Sequence, residues 1–568
     1  MTQSTVRAPR ARGEGPGNGP GDGAGNGSGD GGDGGDGPRG NGRRGTRGHR
    51  VLRWSASTLA VLILGTSGAG YLYYEHLNGN LDRGRRDNGD TKPLRAEANA
   101  AGQTPLNILL IGSDSRDSDE NVKLGGSRDT RGNPPLGDVQ MLIHLAADRR
   151  SASVVSIPRD TRVDIPECTD PESGDTYPAT NDIINTSLAR GGAGCTLATW
   201  QNLTGVYIDH WMTIDFAGVV RMADAIGGVA VCVEQNVWDR PLPGVPGGSG
   251  LKLEAGTRKV RGEQALQWLR TRHAWGSDPL RARAQHMYLN SMLRTLKDQN
   301  VFTDPGRLMG LAEAATKSLT VSEEIGTVKD LYDLGGRLRT VPTDRVTMTT
   351  LPTVPDPQDA NHLVAKDGEA ERIWRMLRDD VPFDDTAEDR TDAKPEADAE
   401  TDAETEGEDD AAAGGDAEPE TGAGPADSAA ADAEIGVLVR NGTRSATDAP
   451  VRGRAGTVAR ALVGRGFARA ATDTSAAVAE ERTVVSYPSA ELAADARRVA
   501  KSLGIAPSSV ERSTEVSGVT VVVGADWREG TTYPEQAAPE AGELPADTDA
   551  IKGSDTGQCM DVYAPYRW

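Results

Sequence analysis

Residues 154–166 read VVSIPRDTRVDIP, a β-branched run that ends abruptly in two arginines and two aspartates. A buried strand ending in charge is the pattern of an open α/β sheet, in which the loops at the strands' carboxyl ends converge on one crevice. Arg159 and Asp160 stand at such an edge. LNILLIG (106–112) reads as a second buried strand and delivers Ser113, Asp114, Ser115 and Arg116 in the same way. VQMLIHLA (139–146) is a third strand.

Helical patterns alternate with these strands. NDIINTSLA (181–189) opens with capping residues, and FAGVVRMADAIGG (216–228) stops at two glycines ahead of the strand VAVCV. GEQALQWLRTRH (262–273) and RARAQHMYLNSMLRTLKDQ (281–299) predict two more helices, and RVTMTTL (345–351) a further strand. The alternation predicts an α/β/α sandwich with a mixed central sheet over residues 104–383.

The flanks are of a different character. Residues 1–50 are Gly-, Pro-, Asn- and Asp-rich and predict a disordered arm. Residues 54–74, WSASTLAVLILGTSGAGYLYY, contain no charge and suffice to span the ~30 Å hydrocarbon core. Trp54 and Tyr71, Tyr73 and Tyr74 bracket the segment, as interfacial aromatics do. Arg43, Arg44, Arg47, Arg50 and Arg53 crowd its amino-terminal side, which predicts a single-pass anchor with a cytoplasmic amino terminus and everything after residue 75 exported. A cleaved leader is the competing reading, and the 53 residues before the apolar core argue against it.

The net charge of −22 is mostly one segment: residues 384–434 hold 20 acidic residues against Arg390 and Lys394, a balance of −18. The rest is nearly neutral, so composition points to no nucleic-acid partner. The segment 384–433 reads as an extended, self-repelling linker. Beyond it, 434–530 alternates strand and helix as a small second α/β domain, and 531–568 lacks periodicity and predicts a loose tail. All four cysteines follow the membrane segment, as an oxidising compartment permits. They allow three pairings. Cys168 with Cys195 would clip one loop and is preferred, with Cys232 a rival partner for either.

A third charged group, LRTRHAWGSDPLRARAQ, packs Arg270, Arg272, Arg281 and Arg283 together with Gln285 just beyond. Each cluster alone reads as a solvated face or a local ion pair. Together they suggest a phosphate ester or pyrophosphate, because guanidinium forks onto phosphate oxygens and two carboxylates on neighbouring loops suit Mg²⁺ once phosphate supplies further oxygens.

The motifs NILLIGSDSR, GDVQMLIHL, VVSIPRDTRVDIP, DIINTSLARGG, DFAGVVRMADAIGGVAVCV and GEQALQWLRTRH followed by DPLRARAQ occur in an order and spacing that resembles the LytR–CpsA–Psr family. Residues 434–530 are similar to the carboxyl-terminal domain appended to that family in actinobacteria. The resemblance implies a membrane-anchored, extracytoplasmic phosphotransferase. It would move a glycopolymer, such as a teichoic acid, from a polyprenyl-pyrophosphate carrier to peptidoglycan, forming a phosphodiester at the muramic acid 6-hydroxyl. It further implies that Asp114 and Asp138 hold Mg²⁺ and that Arg159, Arg270, Arg272, Arg281 and Gln285 grip the diphosphate. Arg159 and Arg281 would act in catalysis, and Asp160 would either deprotonate the acceptor or orient Arg159.

Two positions depart from the family pattern. Leu136 replaces a usual arginine, for which Arg128 or Arg131 would have to substitute, and Ala284 replaces another, beside an Arg283 that points elsewhere on a helix. The Leu136 change keeps a second reading open, a polyprenyl-phosphate-binding or wall scaffold protein without catalysis. A transcription-regulator reading finds no helix-turn-helix pattern in the arm.

Overall fold

The computed structural model describes residues 46–384 and 429–568, apart from positions 90, 92–94, 97, 100, 117, 126–130, 300–303, 367, 445–448, 475–478, 481, 506–508, 514–515 and 535–539. Most of the predicted arm, the bulk of the acidic linker and Arg128 lie outside the described residues. The chain divides into two units, residues 1–70 and 71–568.

In the first unit, helix α1 (Thr46–Asn80) begins, so the last few positions assigned to the arm are helical. The stretch Trp54–Asn80 is long and apolar enough to cross a membrane.

The second unit is built on an eight-stranded mixed sheet. Strand β1 (Asp82–Gly84) lies at one edge, and β2 (Leu106–Ser113), β3 (Gly137–Leu145) and β4 (Ala152–Ser156) lie side by side at the centre. The strands Leu319–Ser322 and His210–Ile214 separate β1 from β2, and Val346–Thr350 and Ile551–Lys552 complete the sheet beyond β4. Side chains alternate across the central strands. Leu109, Ile111, Leu142 and Val155 face a core shared with Trp200 and Trp374, whereas Leu106, Ile108, Met141 and Val154 face another shared with Leu334 and Val341. Both faces are therefore covered, which is why these strands read as unbroken apolar runs.

Strand directions place the charged ends together. β2 runs antiparallel to β3, β3 antiparallel to β4, and His210–Ile214 parallel to β2. The carboxyl ends of β2, β4 and His210–Ile214 and the amino end of β3 thus meet on one edge of the sheet. That edge carries Asp114, Asp138, Arg159 and Asp215.

The helices depart most from the sequence reading at residues 181–204. Residues 181–189 were expected to be helical, but Thr180–Ile183 is a strand and Ile184–Arg190 a 3₁₀ turn. After α2 (Asp119–Gly125), the next α-helix is α3 (Gly192–Thr204), which places Trp200 fully inside the core with its indole N–H donating to Gln140 Oε1 at 2.6 Å. Gly191 and Gly192 both adopt positive φ, which ends the tight turn before an α-helix can start. α4 (Phe216–Ala225) is capped by Asp215, and α5 (Gly262–Arg270) and α6 (Asp278–Asp298) follow.

The second domain has a five-stranded sheet in the order Arg469–Thr472, Gly436–Asn441, Val519–Val523, Val484–Tyr487, Val510–Arg512. Val437, Val439, Val521 and Val523 pack against helices Arg454–Gly464 and Ala493–Leu503.

The expectation of a loose tail is corrected. Ile551–Lys552 pairs with Val346–Thr350 as the last strand of the main sheet, and Gly553 fits so closely that a Cβ there would come 1.9 Å from Thr343 O. Met560, Val562 and Tyr566 are buried in a core shared with α5 and α6. A disulfide joins Cys232 to Cys559, and the second joins Cys168 to Cys195. The tail shows no periodicity because it is ordered by single residues docking into separate niches and by one covalent bond, none of which leaves a repeat in the sequence. Replacing both Cys232 and Cys559 by serine should lower the unfolding free energy of the first domain by about 2–5 kcal/mol in urea titrations.

Candidate functional site

The α5–α6 hairpin brings the third charged group to the sheet edge. Trp268 is buried and its indole N–H donates to Ala284 O at 3.0 Å, so the alanine position serves as a contact point between the two helices. Gln285 Nε2 donates to Leu269 O at 3.0 Å, a second bond between them. α5 ends at Arg270, three residues short of the sequence reading, so Arg272 and His273 lie in the loop. Ser277 caps α6 and Pro279 follows in its first turn, which fixes Asp278 at the helix start.

A cavity of about 290 Å³ opens where these elements meet. Asp138, Arg159, Arg270, Arg272, Arg281 and Gln285 line it. Arg159 Nη1 donates to Asp138 Oδ1 at 3.0 Å, and its Nε lies 3.5 Å from Asp160 and 4.0 Å from Asp278. Burial works against the Arg159 charge, but Asp138, Asp160 and Asp278 more than offset it and hold its pKa above the usual value. Arg281 Nη2 donates to Asp278 Oδ2 at 3.1 Å, and Arg272 Nε is 3.9 Å from Asp278 Oδ1. Asp278, which the sequence reading gave no role, therefore lies among three arginines. Its signal was the Ser-Asp-Pro helix start, which the sequence reading passed over by beginning that helix at Arg281.

Arg270 is held differently. Its guanidinium donates to Leu124 O at 2.8 Å and lies 4.6 Å from the Phe216 ring centroid. Burial and then Arg116 push its pKa down. Arg281 is likewise lowered, chiefly by burial. Neither loses its charge at any physiological pH, and the strain of holding buried guanidinium charge is what an anionic ligand relieves.

Asp114 sits beside the cavity. Its Oδ1 accepts the backbone N–H of Leu136 at 2.7 Å, and its own N–H donates to Leu136 O at 3.1 Å. Burial raises the Asp114 pKa, the Leu136 N–H offsets part of this, and the nearby Asp138 carboxylate raises it further. A half-buried carboxylate whose charge is disfavoured beside a second carboxylate suits a divalent cation. Among the described residues no group of three or more His, Cys, Asp or Glu forms a metal cage. That donor set fits Mg²⁺ completed by phosphate and water oxygens rather than a structural metal.

Of the two arginines suggested as stand-ins at position 136, Arg128 lies outside the described residues and Arg131 does not line the cavity. Arg131 is exposed and pairs with Asp119 at 2.7 Å. Arg283 pairs with Asp549 and donates to Gln558 Oε1 at 2.7 Å. The positive charge nearest to hand is Arg116, which acts on both Asp114 and Arg270.

With this geometry in place, comparison with known proteins identifies the class. Residues 72–379 match the LytR_cpsA_psr family, and residues 434–527 match a domain described as LytR cell envelope-related transcriptional attenuator. The chain belongs to the LytR–CpsA–Psr family. It is 28% identical over 327 residues to the cell wall biosynthesis protein LcpA of Corynebacterium glutamicum, covering 54% of this chain and 60% of that one. It is 32% identical over 178 residues to TagU of Halalkalibacterium halodurans, named a polyisoprenyl-teichoic acid–peptidoglycan teichoic acid transferase, covering 31% and 50%. The chain thus spans about half to three fifths of the length of these relatives. Among solved structures it is similar to a LytR-Csp2A-Psr enzyme from Actinomyces oris, with a TM-score of 0.38 and 18% identity over 52% of this chain and 95% of that one.

The helix that carries Arg281 and Gln285 also carries a titratable weakness. His286 is fully buried, neither ring nitrogen has a hydrogen-bond partner among the described residues, and burial pushes its pKa down to about 4. A histidine whose folded pKa lies below its unfolded value adds stability above about 6.5 that is lost as the pH falls toward about 4. The loss should reach roughly 3 kcal/mol. Urea melts at pH 7.5 and 4.5 should show His286→Leu losing markedly less stability than the wild type over that interval.

Proposed function

We propose that the protein transfers a glycopolymer from a polyprenyl-pyrophosphate carrier to peptidoglycan, forming a phosphodiester at the muramic acid 6-hydroxyl. The observation that carries this reading is the convergence of Arg159, Arg270, Arg272 and Arg281 on one cavity with the carboxylate of Asp138 in its wall. The names of the LcpA and TagU relatives support it.

Arg159, Arg270, Arg272, Arg281 and Gln285 bind the diphosphate and fix the orientation of its bridging oxygen. Phosphoryl transfer needs little covalent help, so positioning and charge neutralisation supply most of the catalysis. Arg159 and Arg281 accomplish both, because Asp138 and Asp278 hold their guanidinium planes in place before the ligand arrives. Asp114 and Asp138 would hold Mg²⁺, which when bound supplies further neutralisation of the phosphate oxygens. Asp160 keeps to the side of Arg159 that Nε presents and orients it. The apolar wall formed by Val139, Phe216, Val219, Leu266 and Leu269 borders the same cavity and excludes water from the first isoprene units. The arginine-rich amino-terminal side of α1 stays cytoplasmic, and the catalytic domain works outside the cell membrane.

Detergent-solubilised full-length protein, given a polyprenyl-diphospho-glycan, Mg²⁺ and peptidoglycan oligomers, should yield the linked product. Arg281→Ala should lower the rate by about a hundredfold or more, and chelation of Mg²⁺ should abolish it. Donor binding without any product from the wild type would instead assign a non-catalytic carrier-binding role, the reading that Leu136 keeps open.

A further inference from the structure

The arginines and Asp138 are not the whole of the cavity's polar lining. Asp239, which also lines it, follows the short strand Val237–Trp238, and its side chain is only 1% exposed. Its Oδ2 accepts the backbone N–H of Ser249 at 2.8 Å, while among the described residues Oδ1 has no hydrogen-bond partner. That oxygen faces His273 Nδ1 at 4.0 Å. A buried acceptor without a donor is unfavourable, and one that borders a cavity is open to a partner that closes in during use.

His273 is not free to drift. Its ring stacks on Tyr566 with centroids 6.2 Å apart and planes 21° from parallel, and Tyr563 N–H donates to the adjacent Ala274 O at 2.8 Å. The disulfide-tethered tail thus forms the back wall of the loop that carries this histidine. Asp239, His273, Arg159 and Arg281 all line one cavity.

The other acids of that lining are committed. Asp138 accepts from Arg159, and Asp215 accepts from Gly218 N at 2.7 Å and from Asn121 Nδ2 at 2.6 Å. Asp160 is not part of the lining. The aspartate–histidine pair is the lining's uncommitted proton acceptor, in the same cavity as the proposed diphosphate ligands and next in sequence to one of them, Arg272.

We propose that His273 is the general base for the acceptor sugar hydroxyl and that Asp239 is the positioning residue that holds the imidazole through Nδ1. This rests on the transferase reading and deepens it. The acceptor O–H bond breaks and its proton passes to His273 Nε2 as the oxygen's electron pair forms a bond to the phosphorus that carries the glycan. The bond from that phosphorus to the bridging oxygen breaks, its electron pair leaves with the polyprenyl phosphate, and His273 returns the proton to that departing phosphate. A carboxylate behind an imidazole fixes which nitrogen carries the proton and supports the imidazolium as it forms.

Steady-state transfer by full-length protein in detergent tests this, with geranylgeranyl diphosphate binding as a check on the fold and on the arginine cluster. His273→Ala should lower kcat by about 10²–10⁴-fold with donor KM within roughly twofold of wild type, and added imidazole should restore part of the rate. Asp239→Asn should lower kcat in the same sense without weakening diphosphate binding. A His273→Ala enzyme within roughly threefold of wild-type kcat, or a loss that imidazole does not restore in a protein that still binds the diphosphate, would overturn the assignment. Wild-type protein that makes no product overturns the transferase reading and this base with it. Active wild type with indifferent variants overturns the base alone.

Discussion

Asp278 is the constraint on which the site depends. Three guanidinium groups approach this one carboxylate, Arg281 in direct contact and Arg159 and Arg272 within 4.0 Å. Two like charges 6 Å apart repel by about 3 kcal/mol at an effective dielectric of 20, so without a central anion the arginines would splay toward solvent. The carboxylate is itself fixed, because the Ser277 cap and Pro279 define the first turn of α6 and leave it little freedom. Such an assembly adds little to stability, since desolvation of each ion consumes most of the Coulombic gain. What it supplies is orientation. Arg159 and Arg281 hold their places before a ligand enters, and the reorganisation that a flexible cluster would need is already complete.

The sheet makes this convergence possible, and four of its eight strands were legible, β2, β3, β4 and Val346–Thr350. β2, β3 and β4 are buried on both faces, so they read as largely apolar runs and the charges at their ends stand out. Asp114 and Arg159 followed directly from those ends, and Asp138 from the family resemblance. What escaped the sequence reading depended on geometry between segments. The glycine pair at 191–192 turned an apparent helix into a strand and a 3₁₀ turn and moved the α-helix downstream. The early end of α5 put Arg272 and His273 on a loop. Asp278 was missed because the helix was read from Arg281, and only its three neighbours reveal its part in the site. The tail was unreadable for a stronger reason: its order comes from Cys232 and from niches more than 200 residues upstream, and a local pattern carries no trace of either.

Leu136 illustrates how a family position can keep part of its task after its side chain is lost. The backbone N–H of Leu136 donates to the Asp114 carboxylate and its carbonyl accepts from the Asp114 N–H, and that pairing is indifferent to what residue 136 carries. The aspartate therefore stays aimed at the sheet edge. The missing positive charge is a separate matter, and the chain meets it from the strand end rather than from the loop, through Arg116, whose field reaches Asp114 and Arg270 alike. A guanidinium that approaches from this side also approaches Phe216 and Gly125: a Cβ on Gly125 would lie 3.2 Å from Arg116 Nε and 3.4 Å from Phe216 Cε2. Arg270 thus packs over the Phe216 ring, a border between guanidinium and apolar carbon within the cavity lining. A diphosphate joined to a hydrocarbon chain has the same division, a doubly charged head followed at once by apolar carbon, and this border is where the two would have to match.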